Sequence, residues 1–153
     1  HLLAMLAVGL FAARQSGAAR WATPVAFVAM MAVGAFVGTT QLQLPFTELM
    51  IAASVVVFGA LVAFNFRLKM ANSALAGATL AGVFAFFHGF AHGAEMPAMA
   101  SLATYGAGFI IATAILHAAG YALAAFGNNK AADMSRRAAG ASIALAGVAF
   151  GVA

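Results

Sequence analysis

Six runs of apolar residues, each parted from the next by a short polar stretch, leave this chain little choice of solvent. They fall at approximately His1–Ala13, Trp21–Thr39, Glu48–Phe66, Ala71–His92, Ser101–Phe126 and Arg137–Ala153. A helix needs about 20 apolar residues to cross a hydrocarbon core roughly 30 Å thick. Inside that core every backbone N–H and C=O has to be satisfied by the spanning structure itself. The runs therefore predict an all-α fold, a polytopic transmembrane bundle of about six helices. With 65% of the 153 residues hydrophobic and 7% charged, folding in water would leave far too much apolar surface exposed. The lipid bilayer is thus the first partner the sequence implies, and integral membrane the localisation. Ala and Gly recur along the runs, Gly34, Gly38 and Gly77 among them, and small residues let helix backbones approach closely where lipid supplies no hydrophobic drive between helices. A single transmembrane domain over residues 1–153, without an internal repeat or linker, is the expected organisation.

The first run is short: from His1 to Ala13 it would rise only about 18 Å at ~1.5 Å per residue. It has neither a basic leading region nor a cleavage pattern before Arg14, so it does not read as a signal peptide. The expectation is that the N-terminal part of this first helix is missing from the sequence. Seven basic residues outnumber three acidic ones, but they stand between the runs, at Arg14–Arg20, Arg67–Lys69 and Lys130–Arg137. That spacing is topological and excludes a nucleic-acid patch. Short loops rich in Lys and Arg stay on the cytoplasmic side. His1, the loop 41–47 and the loop 92–100 then face outward, which is the periplasm in a Gram-negative cell.

With no cysteine in the chain, thiolate ligands, disulfides and iron–sulfur clusters are excluded, and metal chemistry is left to His, carboxylate, Met and backbone oxygen. One segment concentrates those groups: Phe86-Phe87-His88-Gly89-Phe90-Ala91-His92-Gly93-Ala94-Glu95-Met96-Pro97. On a helix His88 and His92 stand four residues apart and share a face, with imidazoles able to meet one ion. Glu95 adds a carboxylate if the helix continues that far, although Gly93 and Pro97 announce its end. Imidazole with carboxylate suits borderline ions such as nickel, cobalt or zinc. Paired histidines on a water-soluble helix are usually incidental, but ionisable groups within a membrane are expensive and mark functional positions.

Other candidates carry plainer alternatives. His1 and Met5 are one turn apart, and His1 shares the outer side with His92; Met5 reads as core packing before it reads as a ligand, since a thioether is a weak nickel ligand and a good gap filler. His117 lies deep in the fifth run, where it is either a second stop along an ion path or a hydrogen-bonding partner of a neighbouring helix. Glu48 opens the third helix, where the dipole alone explains a carboxylate. Asn65, Asn72, Asn128 and Asn129 fall at helix ends and require no special role. Met96 and Met99 raise copper(I), which ranks below nickel because both simply follow a helix end. The Phe-rich surroundings of His88 read as packing or lipid-facing surface, and Trp21 and Tyr121 as partial interfacial anchors.

These residues resemble the HupE/UreJ family of nickel and cobalt permeases. His1-Leu2-Leu3-Ala4-Met5-Leu6-Ala7-Val8-Gly9 is similar to the second half of the family's first motif, His-Pro-x-x-Gly-x-Asp-His followed by Met-Leu-Ala-Val-Gly; His1 matches the final His, and the first His and the Asp fall upstream of the sequence. Phe87-His88-Gly89-Phe90-Ala91-His92-Gly93-Ala94-Glu95 matches the second motif, Phe-His-Gly-x-Ala-His-Gly-x-Glu, throughout. Tyr105-Gly106-Ala107-Gly108-Phe109 and Leu116-His117-Ala118-Ala119-Gly120 also look family-like, so the resemblance spans nearly the whole chain. It implies uptake of nickel or cobalt for metalloenzymes such as hydrogenase or urease, in a bacterial inner membrane, by a permease without its own ATPase.

The expected function is accordingly a permease for a divalent transition metal, Ni2+ or Co2+ as cargo with no permanently bound cofactor. Its expected site is His1, His88, His92 and Glu95 near the outer face, with His117 and Met5 along the path. The chain lacks a phosphate-binding Gly-rich loop with its Lys. Two rivals stand beside it. A membrane metalloenzyme is disfavoured because Gly89 follows His88 where a zincin needs Glu, and because no serine stands persuasively beside a base. A cofactor-binding or structural subunit of a larger membrane complex would use the histidines for pigment, haem or another subunit. A homo-oligomer or a membrane-complex partner is compatible with either reading.

Overall fold

The computed structural model describes residues 1–40, 42–69, 71–127 and 129–152. Gln41 of the expected outer loop, Met70, Asn128 and the terminal Ala153 lie outside the described residues. Six helices follow one another: α1 (Leu2–Arg14), α2 (Ala19–Gly38), α3 (Thr47–Ala63), α4 (Ser73–Ala94), α5 (Leu102–Ala125) and α6 (Lys130–Val152). The protein is an all-helical membrane protein. On their own, α2, α4 and α5 are long and apolar enough to cross a bilayer, whereas α1 and α3 are apolar but shorter. The 13 residues of α1 rise about 20 Å and the 17 of α3 about 26 Å at ~1.5 Å per residue. Despite its length α1 is the most enclosed helix, with Ala4, Met5, Ala7, Val8, Leu10 and Phe11 all buried. Ile111, Ile115 and Leu123 on α5 and Leu145 and Val148 on α6 are exposed, as a surface solvated by lipid requires.

The last helix departs from its apolar run, starting at Lys130 rather than at Arg137. Its polar opening turns are held by specific bonds. The Asn129 Oδ1 accepts from the Ala132 N–H at 2.8 Å, an N-cap that satisfies one of the free donors of the first turn, and Asp133 stands where the helix dipole favours negative charge. Arg136 folds back onto the end of α5, donating from Nη1 to the carbonyls of Ala124, Phe126 and Gly127 at 3.0–3.2 Å. Charge that reads as a loop in the sequence is therefore used to tie two helix ends together.

Helix contacts pair α2 with α4, α3 with α6 and α1 with α5. Glycines make the approach close enough. A Cβ on Gly34 would collide with the Phe86 carbonyl, one on Gly38 with the Phe90 carbonyl, and one on Gly89 with the Met31 carbonyl, so α2 and α4 run parallel with backbones nearly touching. Gly9 meets the His117 carbonyl of α5 and Gly120 the Leu6 carbonyl of α1, again in parallel, while Gly59 and Gly140 meet across the antiparallel pair α3 and α6. Gly77 faces the Thr23 hydroxyl. The small residues thus act as expected, and aromatic side chains fill the centre, with the Phe11 and Phe58 ring centroids 5.9 Å apart and those of Phe58 and Phe84 6.1 Å apart.

All three basic stretches meet at one end of this bundle. Arg14 Nε donates to Asn65 Oδ1 at 2.9 Å, and its Nη2 lies 3.5 Å from Asp133. The Gln15 amide donates to the carbonyls of Phe11 and Phe66 and accepts from the Leu68 N–H. Arg137 donates to the Ala63 carbonyl. Asn65 therefore has a role that the sequence reading did not assign: it takes the left-handed backbone, with φ at 51°, a conformation Asn tolerates better than most residues, and presents its amide oxygen to Arg14.

Candidate metal centre

The opposite end holds the histidines. His88 and His92 lie on α4 and His1 at the start of α1. The His1 ring is 4.9 Å from that of His88 and 4.8 Å from that of His92, centroid to centroid. His88 is fully buried because it sits on the same face of α4 as Phe84 and Ala85, wrapped by the glycine-mediated contact with α2. His92 is one turn nearer the helix end, half-buried, and stacked on Phe109 of α5 with centroids 5.3 Å apart and planes at 9°.

Two helices distant in sequence, α1 and α4, thus deliver three imidazoles to one place. His1 Nε2 and His88 Nδ1 are buried there without any hydrogen-bond partner. The other nitrogen of His88, Nε2, lies 2.8 Å from the buried Ser54 hydroxyl of α3. Among the described residues no three His, Asp or Glu side chains are disposed to hold one ion as they stand. The rings pack edge to face and tilted, so coordination requires them to turn their nitrogens to a common point.

Glu95 lies at the end of α4, near enough for its charge to act on the His92 ring. The helix ends at Ala94, and Glu95 is its exposed C-cap, its N–H bonded to the Ala91 carbonyl. Met5 is buried one turn along α1 from His1, and its sulfur accepts from the Thr113 hydroxyl at 3.3 Å, with the Met31 sulfur 3.5 Å from the same hydroxyl. His117 stands apart from the three rings. Phe27 lies between, its centroid 5.5 Å from His88 and 5.1 Å from His117. His117 Nε2 is also buried and unpartnered, and the ring forms part of the wall of an apolar cleft of about 620 Å³ between α1, α2 and α5, which Trp21 and Tyr121 border. Those two rings stack at 5.8 Å.

Sequence reasoning missed Ser54, Phe27, Thr113 and Met31. Ser54 carried a usable signal, a hydroxyl within the apolar run 50–61, and its Oγ lies against the His88 ring. Phe27 carried none, since a phenylalanine in an apolar helix is indistinguishable from packing.

The family model described as HupE / UreJ protein matches residues 1–150. The chain belongs to the HupE/UreJ family. It is 42% identical over 150 residues to Protein HupE of Rhizobium leguminosarum bv. viciae, an alignment covering 98% of this chain and 76% of that protein. No solved structure matches the chain. As a HupE/UreJ membrane protein it falls in a family associated with nickel uptake, whose members are generally transporters rather than enzymes.

Proposed function

We propose that this chain is a permease that takes up a divalent transition-metal ion, nickel first and cobalt second, across a bacterial inner membrane. The observation that carries the reading is the group of three imidazoles at the end of the bundle opposite the basic loops, with ring nitrogens of His1 and His88 buried and unpaired. A buried polar atom without a partner loses about 1–3 kcal/mol relative to one that is bonded. Two such atoms in adjoining rings are accounted for by an ion that supplies the missing bond. The basic loops put their end in the cytoplasm, so the histidines open to the periplasmic side.

In this reading a hydrated ion arrives at the outer mouth, where the exposed Glu95 carboxylate attracts it and the half-buried His92 ring replaces its first water. His1 and His88 complete capture deeper in. Passage inward runs by Met5, a weak ligand, and past Phe27 to His117, whose free Nε2 offers the next stop. Few and neutral ligands suit a permease, because an ion held too tightly would not leave. The cargo is the only metal this mechanism uses.

The test is nickel(II) titration of the purified full-length protein in lipid nanodiscs, with His88→Ala and His92→Ala beside it. Binding in the parent that weakens at least tenfold in each variant supports the site, and unchanged binding in both overturns it. The cleft at His117 favours one second reading, a subunit that binds a flat apolar cofactor. Visible absorbance that co-purifies with the parent and is lost in His117→Ala would place that reading first.

A further inference from the structure

Ser54 Oγ makes two short contacts, 2.6 Å to the Ile51 carbonyl of its own helix and 2.8 Å to His88 Nε2. A hydroxyl has one proton, and a carbonyl oxygen can only accept. The proton therefore lies between Ser54 and Ile51, since two bare oxygens would repel at that distance. Ser54 is left to accept from His88, so the imidazole proton is on Nε2. A neutral imidazole carries only one N–H, which leaves the lone pair on Nδ1, the atom found buried without a partner.

We propose that Ser54 is a positioning residue that locks His88 in the Nε2–H tautomer and thereby makes Nδ1 the atom that meets the ion. Ligating histidines characteristically donate their second ring N–H to a neighbouring acceptor, which fixes the ring's orientation and strengthens the ligand, and loss of such a partner typically lowers metal affinity about 10–100-fold. Ser54 has this role only if His88 binds the ion, as proposed above. The same proton count removes Ser54 as a nucleophile: its proton is held by Ile51, and His88 faces it as donor rather than as base.

The direct test is solid-state NMR of the metal-free full-length chain in bilayers with 15N-labelled histidine, the His88 signals being assigned by their disappearance in His88→Gln. A protonated Nε2 and a bare Nδ1 in the parent are expected, and a proton on Nδ1 overturns the proposal without any variant having to fold. Titration with nickel(II) then follows in Ser54→Ala and Ser54→Thr. The expected result is a loss of affinity of about tenfold or more in Ser54→Ala, with a mixed tautomer at His88, and retention of both properties in Ser54→Thr. Unchanged tautomer and affinity in Ser54→Ala overturn the proposal. If His88→Gln itself leaves nickel binding intact, the metal-site reading fails, while the tautomer still judges the bond to Ser54.

Discussion

At the basic end of the bundle, Arg14, Gln15, Asn65, Asp133 and Arg136 are bound to one another and to carbonyls at helix ends. At the histidine end, His1 and His88 keep buried ring nitrogens that nothing meets. Of the buried unpartnered side-chain atoms among the described residues, the only one not on a histidine is Nε of Arg136, whose guanidinium is otherwise tied to three carbonyls and to Asp133. Polar groups that tie helix ends together have partners within the fold, whereas two of the imidazoles proposed to meet the ion keep buried nitrogens free.

Several substitutions would break or sharpen that contrast. The largest effect is expected from Gly89→Leu, which drives a side chain into the Met31 backbone and wedges α2 from α4, the contact that also encloses His88. Overpacking of this kind removes about 3 kcal/mol or more, read as loss of monodisperse protein after detergent extraction. Next comes Arg136→Ala, which strips the carbonyls ending α5 and leaves Asp133 with one cation fewer. A loss of about 3 kcal/mol, seen as a lower Tm, is expected with nickel affinity per folded molecule unchanged; a parallel fall in affinity would erase the distinction between the two ends.

Acid acts in the reverse sense, on the histidine end first. Protonation removes the lone pair that ligates, so capture is present while the imidazoles are neutral and is lost once the pH falls far enough to protonate them. Nickel binding is expected to weaken as the external pH is lowered stepwise from about 7.5, before Tm begins to fall. Smallest is His117→Ala, beyond Phe27 from the cluster. It is expected to lower the maximal uptake rate a few-fold and to leave the affinity of capture intact, since His117 touches neither His1 nor His92.

Much of this was legible in the sequence. Apolar runs broken by basic loops specify helices and a sided topology by the physics of lipid alone, and the spacing of His88 and His92 places them on one face whatever surrounds them. Contacts between helices far apart in sequence were not legible. Nothing in the order of residues brings Ser54 to His88 or sets Phe27 between His88 and His117, because those meetings depend on which helices pair, and small residues line every helix here. The start of α6 at Lys130 was hidden for the opposite reason: Lys130, Asp133, Arg136 and Arg137 read as a solvated loop until Arg136 is seen to cap α5. The spacing of Glu95 after His92 was legible, but not that the helix ends one residue before it and leaves it exposed.

The most direct measurement is uptake of radioactive nickel by cells expressing the full-length protein at matched membrane levels, with substitutions at the two ends set side by side. His88→Ala and His92→Ala are expected to reduce uptake to the level of cells without the protein, and Arg14→Gln at the basic end to keep most of it. Uptake that survives both histidine substitutions, or that is lost equally at either end, would contradict the assignment of the unpaired histidines to the ion.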